Sequence, residues 1–196
     1  MPMQGLNAIL GKSSHLKVLR VLHRARERLC GREIQRRSGL SNRATMLALE
    51  ELCQQRVLVM DETACKYWFK PNHANYLWLK AIRPALDAEE GFWEDLRKLV
   101  RRSVKPVPEA AIVTGTLARE VDSQTGPIDL NLLYVGGRQR LQAYGCLERL
   151  REKVDQRYAL ELTVTFMDMR NMDDPEFQTL WQRIAREGVL LFGKLP

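Results

Sequence analysis

Histidine, cysteine and aromatic residues are all scarce in this chain. Three histidines, four cysteines and 7% aromatics stand among 196 residues. His15, His23 and His73 have no Ser-His-Asp or Cys-His arrangement around them, so the common nucleophilic triads are excluded and each is read as structural or exposed. Cys30, Cys53, Cys65 and Cys146 lie far apart, with no CxxC and no nearby histidine pair. Zinc and dithiol redox motifs are thus missing, and buried or inert thiols are expected. No apolar run approaches the length of a membrane span, and the opening MPMQGLNAIL lacks the basic-then-apolar pattern of a signal peptide. A cytoplasmic location with no membrane partner is the expectation.

What is present is charge and enough apolar material for a core. Hydrophobic residues make up 45% and charged residues 28%, which describes a globular protein of one large or two small domains. The net charge is +7, and it is unevenly spread: residues 1–80 hold fourteen Lys or Arg against six Asp or Glu, the remainder seventeen against eighteen. All the excess positive charge therefore lies in the first part of the chain. Such an asymmetry favours a polyanion there, with phosphate as the natural partner.

That same part contains the stretch GREIQRRSGLSNRATMLALEELCQQR, from Gly31 to Arg56. It reads as two helices joined by a tight turn. Gly39 supplies a left-handed residue that ends the first, around Ile34, and Ser41 caps the second, from Asn42 to Gln55. Thr45, Ala48, Leu49 and Leu52 recur at i, i+3, i+4 and i+7 as one buried stripe. Ser41, Asn42, Arg43 and Met46 are left on the forward face, at the turn that suits a major groove. The pattern E-I-x-x-x-x-G-L-S-x-x-x-[TV]-x-x-x-L-x-x-L resembles a bacterial helix-turn-helix of the winged-helix type. That resemblance implies double-stranded DNA as partner, with Asn42 and Arg43 on base edges and Ser41, Arg36, Arg37 and Lys66 on phosphates.

Around it, the first dozen residues read as an arm or a frayed start. Ser13 or Ser14 caps a helix through Arg26 with Leu16, Leu19, Leu22 and Ala25 near one face. Val57 to Met60 and Lys66 to Lys70 are two short strands around a polar turn, Asp61 to Ala64, making a wing. Asp61 and Glu62 in that turn would repel phosphate, and Lys66 offsets them only in part. Met46 and Leu47 stand where many such helices carry Arg, His or Gln, which leaves a protein-binding helix as another reading. From Ala74 to Val104 the pattern is helical, with breaks expected at Pro84 and Gly91. Regulators of this type often pair through helices so placed, and a homodimer would match a palindromic operator. Pro106 and Pro108 mark a domain boundary.

Beyond it come a short strand, Ala110 to Thr114, then Gly115-Thr116 and a helical start, and after a polar loop, Val121 to Pro127, a second strand from Ile128 to Val135. A helix from Arg138 to Arg157 turns Leu141, Leu147, Leu150 and Val154 inward; Leu160 to Met169 is a third strand and Asp174 to Arg186 a final helix. An α/β sheet with helices packed against it follows. The Gly-Thr turn, twelve residues (Leu117 to Ile128), then Asp129-Leu130-Asn131 resembles the DNA polymerase beta-type nucleotidyltransferase pattern h-G-[GS], nine to thirteen residues, D-h-[DE]-h. The ending Glu187 to Gly193 is similar to the closing strand of small members.

The resemblance implies a nucleotide-binding corner of Gly115, Thr116, Arg119, Asp129 and Asn131. In active members two strand carboxylates hold Mg2+ ions that activate the attacking oxygen and neutralise the triphosphate. Here Asp129 keeps the first carboxylate and is the one metal candidate, Asn131 replaces the second, and Glu161 is the nearest counterpart of the third. Gly126-Pro127 replaces the usual Ser before the strand. The expected fold is α+β in two domains: a winged helix-turn-helix over 1–73, linker helices over 74–105, and a nucleotidyltransferase-like sheet over 106–196. The expected function is a DNA-binding regulator whose second domain is an inactive nucleotidyltransferase relative sensing a nucleotide or protein effector. No cofactor is required, though Mg2+ and a nucleotide remain compatible with the pocket. The alternative is an active small nucleotidyltransferase, with Asp129 and Glu161 catalytic, that uses the first domain to dock an antibiotic, tRNA or protein.

Overall fold

Leucines at helical spacing close the first half of the chain. In the computed structural model residues 5–63, 66–119, 126–171 and 174–194 are described, and the chain divides into two units, Met1–Glu90 and Gly91–Pro196. In the first unit, α2 (Ser13–Ala25), α3 (Gly31–Ser38) and α4 (Asn42–Gln54) surround Leu19, Leu22, Ile34, Leu49 and Leu52, all fully buried. Gly39 ends α3 at φ 67°, donating its N–H to the Gln35 carbonyl. Ser41 then accepts from the Ala44 N–H at 3.2 Å and starts α4. The stripe Thr45, Ala48, Leu49 and Leu52 is buried as its spacing requires.

Several local expectations fail in this unit. Within the expected arm, residues 1–4 lie outside the described residues, and those that follow form α1 (Gly5–Leu10), which buries Ile9 in the same core. Neither Ser13 nor Ser14 caps α2; its N-cap is Lys12, without a side-chain cap. The buried face of α2 is His15, Val18, Leu19 and Leu22, with Leu16 and Ala25 only half-buried. His15 takes the inner place because its ring finds two acceptors there, the Ile9 carbonyl at 3.1 Å and the Glu51 carboxylate at 2.7 Å.

A three-stranded antiparallel sheet completes the unit in the order β1-β3-β2, from β1 (Leu29–Cys30), β2 (Leu58–Thr63) and β3 (Lys66–Pro71). Asp61 and Glu62, expected in the turn, lie within β2, and Lys70 holds Asp61 at 2.8 Å. The acid of the ribbon is therefore balanced by Lys70 rather than by Lys66. Further on, a π-helical turn (Trp78–Ile82) runs directly into α5 (Arg83–Ser103), which passes Pro84 and Gly91 without the expected breaks. The π turn admits the proline: Arg83 donates back to the Trp78 carbonyl, so the register is already widened where Pro84 lacks a donor. Gly91 costs a helix about 1 kcal/mol relative to alanine, too little to end one of 21 residues.

The second unit is built on a four-stranded sheet in the order β6-β5-β4-β7. Its strands are β4 (Ala110–Thr114), β5 (Ile128–Tyr134), β6 (Leu162–Asp168) and β7 (Val189–Gly193). The pair β5–β6 is parallel, while β4 is antiparallel to both of its neighbours. Ile128, Leu130, Leu132 and Tyr134 face one core together with Val113, Leu150 and Val154 and with Leu96, Val100 and Val104 of α5. The alternate residues Ile112 and Leu133 face a smaller core against Ile184 of α9 (Pro175–Glu187). The expected single helix after β5 is two, α7 (Gly137–Tyr144) and α8 (Leu147–Tyr158). With the break at Gly145-Cys146, Ala143 takes the core position and Leu141 stands exposed, not inward. The short α6 (Thr116–Arg119) follows β4, and most of the polar loop expected after it lies outside the described residues. Together the two small sheets and their helices make a mixed α+β fold.

Candidate functional site

Two groups of residues were singled out by the sequence, one in each unit. In the first, burial of the α4 stripe leaves Ser41, Asn42, Arg43, Met46 and Leu47 exposed on the opposite side. Arg43 and Lys66 form no ion pair among the described residues. Arg36 and Arg37, by contrast, both reach Glu33, each at 2.6 Å. Hydrogen bonds from Arg36 and then Arg37 hold the Glu33 acid down to about 2. These two guanidiniums thus share one carboxylate, which the sequence reading did not foresee although i,i+3 and i,i+4 spacing signals it.

In the second unit Gly115 sits at the end of β4 with φ 86°, and a Cβ there would run into the Asp129 carboxylate. Both the backbone angle and the space require glycine at this point. A Cβ on Gly126 would likewise meet the Thr116 hydroxyl. Gly115 thus lies against Asp129, and Gly126 against Thr116. Arg119 is tied to Glu187 at 2.9 Å, so its charge is already answered.

Asn131 is turned into the sheet. It is 5% exposed, and its Nδ2 donates to the Thr114 hydroxyl at 3.0 Å and to the Ile112 carbonyl at 3.4 Å. Asn131 pairs with Thr165 in the β5–β6 register and Asp129 with Thr163, both exposed hydroxyls. Glu161 falls one residue before β6, exposed, its backbone carbonyl accepting from Ile128 at 2.8 Å. The corner is thus one carboxylate among threonines. Mg2+ demands oxygen ligands and negative charge. The amide hydrogens of Asn131 occupy the side of the residue that a second carboxylate oxygen would need, so this donor set does not fit a pair of such ions. Among the described residues no three His, Cys, Asp or Glu side chains converge on one point. Thr114 is a neighbour of this corner that the sequence did not indicate; the antiparallel register, Thr114 opposite Asp129, brings it there.

No family model matches this chain, and neither does any curated protein. Among solved structures, a mutant form of the toxin-antitoxin MntA-HpeT aligns over 52% of this chain and 73% of that chain, at 17% identity and a TM-score of 0.36. A crystal structure of the toxin-antitoxin with AMP-PNP aligns over the same shares, at 18% identity and a TM-score of 0.36. Alignments this loose assign no activity to the chain. Among the described residues no helix is long and apolar enough to cross a membrane.

Proposed function

We propose that this chain is a DNA-binding transcriptional regulator. On this reading residues 1–73 act as a winged helix, 74–105 as linker helices, and 106–196 as a nucleotidyltransferase-like domain without metal chemistry that senses a nucleotide or a protein. The single observation that carries it is the Ser41-capped first turn of α4, which leaves Asn42, Arg43 and Met46 free above a fully buried stripe. Asn42 and Arg43 read base edges and Met46 rests against a thymine methyl. Ser41, Arg36, Arg37 and Lys66 sit on phosphates, with Arg36 and Arg37 leaving Glu33 to do so. A homodimer places two such helices on a palindromic site.

A gel-shift series on the DNA upstream of its own reading frame tests this. Binding that weakens steeply with salt, and weakens again in Arg43→Ala, is the expected outcome. Failure to bind at low salt, where counterion release favours association, overturns it. For the second domain the reading predicts no transfer from labelled nucleotide with Mg2+. Turnover that Asp129→Ala abolishes would establish the transferase alternative instead.

A further inference from the structure

The first unit contains a cavity that neither of these readings uses. It has a volume of about 420 Å3 and lies among the end of α2, the end of β3 and the start of α5. That size is within the range of small-molecule sites, roughly 300–1,000 Å3. Three rings meet at its wall. Trp78, 1% exposed, has the His23 ring at 6.4 Å and the His73 ring edge-on at 6.1 Å. The buried Trp78 Nε1 has no hydrogen-bond partner, although a buried indole N–H ordinarily finds one.

The lining is cationic, with Arg26, Arg28, Lys70 and Arg83 against Glu27 and Asp87. Some of this charge is already engaged. Asp87 lies 3.1 Å from His23 and 3.6 Å from Arg83, and Lys70 holds Asp61. Arg28 stacks over Trp68 at 5.2 Å. Arg26, held in the left-handed region at φ 53°, forms no ion pair among the described residues. A cavity edged by two imidazoles, with more cations than anions in its lining and Arg26 outside any ion pair among the described residues, selects for one kind of guest.

We propose that this cavity binds a small planar organic anion, a ring system carrying one carboxylate, with the ring against the His73 and His23 imidazoles that cover Trp78 and the charge toward Arg26 and Arg83. Ring stacking and a charge-assisted hydrogen bond supply the recognition. The site does not depend on the DNA reading, since it is measured without DNA.

The full chain, 15N-labelled, is titrated with 2-naphthoate, the neutral 2-naphthamide and inorganic phosphate in parallel. Four tryptophans give four indole signals, and Trp78→Phe identifies the one from Trp78. Naphthoate is expected to move that signal to saturation, the amide to bind at least tenfold more weakly, and phosphate alone to leave it in place. The double variant Arg26→Asn, Arg83→Gln is expected to weaken naphthoate at least tenfold with its spectrum otherwise intact, because asparagine tolerates the left-handed backbone at 26. An unmoved Trp78 signal, equal binding of the amide, movement by phosphate alone, or full affinity in the variant would each overturn the proposal.

Discussion

Asn131 ties β5 to β4 through its side-chain amide. The Ile112 carbonyl, an acceptor, lies 3.4 Å from Nδ2, so a carboxylate oxygen in that place would face another oxygen. Asn131→Asp is therefore expected to destabilise the chain by about 1–3 kcal/mol, the cost of an unsatisfied buried acceptor. Urea unfolding at neutral pH measures it, and an unchanged midpoint would mean that the amide is not a clamp between the strands. Asp168 offers a second residue-level test. It is 7% exposed and accepts from the Arg170 guanidinium at 2.8 Å, from the Arg170 N–H at 3.1 Å and from the Gly136 N–H at 3.3 Å. The Arg170 side chain first, then these backbone donors, hold its acid far below the usual carboxylate range. A folded value below the unfolded one gives stability that is complete above the ordinary aspartate range, about pH 4, and is lost as pH falls toward the folded value. The wild-type midpoint should thus fall more steeply than that of Asp168→Asn between about pH 4 and pH 2.

At the scale of elements, α4 was legible because its cap, stripe and forward face are all local. Ser41 meets its own third neighbour, and the i, i+4 rhythm of Thr45 and Leu49 needs no partner to be read. Leu49→Ala is expected to cost about 2–5 kcal/mol through the cavity left at a fully buried site. Ser41→Ala is expected to cost about 1 kcal/mol. Thermal unfolding should rank the two in that order, and a Ser41→Ala loss equal to that of Leu49→Ala would contradict the packing described. Elements fixed by distant residues were not legible. The two-residue β1 exists because Leu29 and Cys30 find Phe69 and Trp68 on β3, and nothing so short carries a period of its own. The π turn before Pro84 answers a missing donor further along the chain, where the sequence alone suggested a break. The division of α7 from α8 escaped for the opposite reason: Leu141, Leu147, Leu150 and Val154 continue a helical rhythm across Gly145. Motif spacing drew attention to Gly115 and Asp129, and the fold shows that a Cβ on Gly115 would meet the Asp129 carboxylate. Thr114 became visible only once β4 and β5 were paired.

For the whole molecule the decisive quantity is how charge divides between the two units. Residues 1–90 carry fifteen Lys or Arg against nine Asp or Glu, and residues 91–196 sixteen against fifteen. On the proposed reading, a salt-dependent grip on DNA comes chiefly from the first unit, and its side chains should differ according to whether an acid already holds them. Lys66, exposed and without an ion pair among the described residues, should lower the log–log salt slope by about 0.9 when replaced by alanine, the loss of one phosphate contact. Arg36→Ala should lower it less, because Glu33 competes for that guanidinium at 2.6 Å. Glu33→Gln should do the reverse, releasing Arg36 and Arg37 together and tightening DNA binding at every salt concentration. Arg149→Gln, on an exposed residue of the second unit, should leave affinity and slope unchanged. Gel shifts from low to moderate salt on these four variants separate the charges that act from those merely present. If Arg149→Gln moved the slope as far as Lys66→Ala, the binding face would not lie on the first unit.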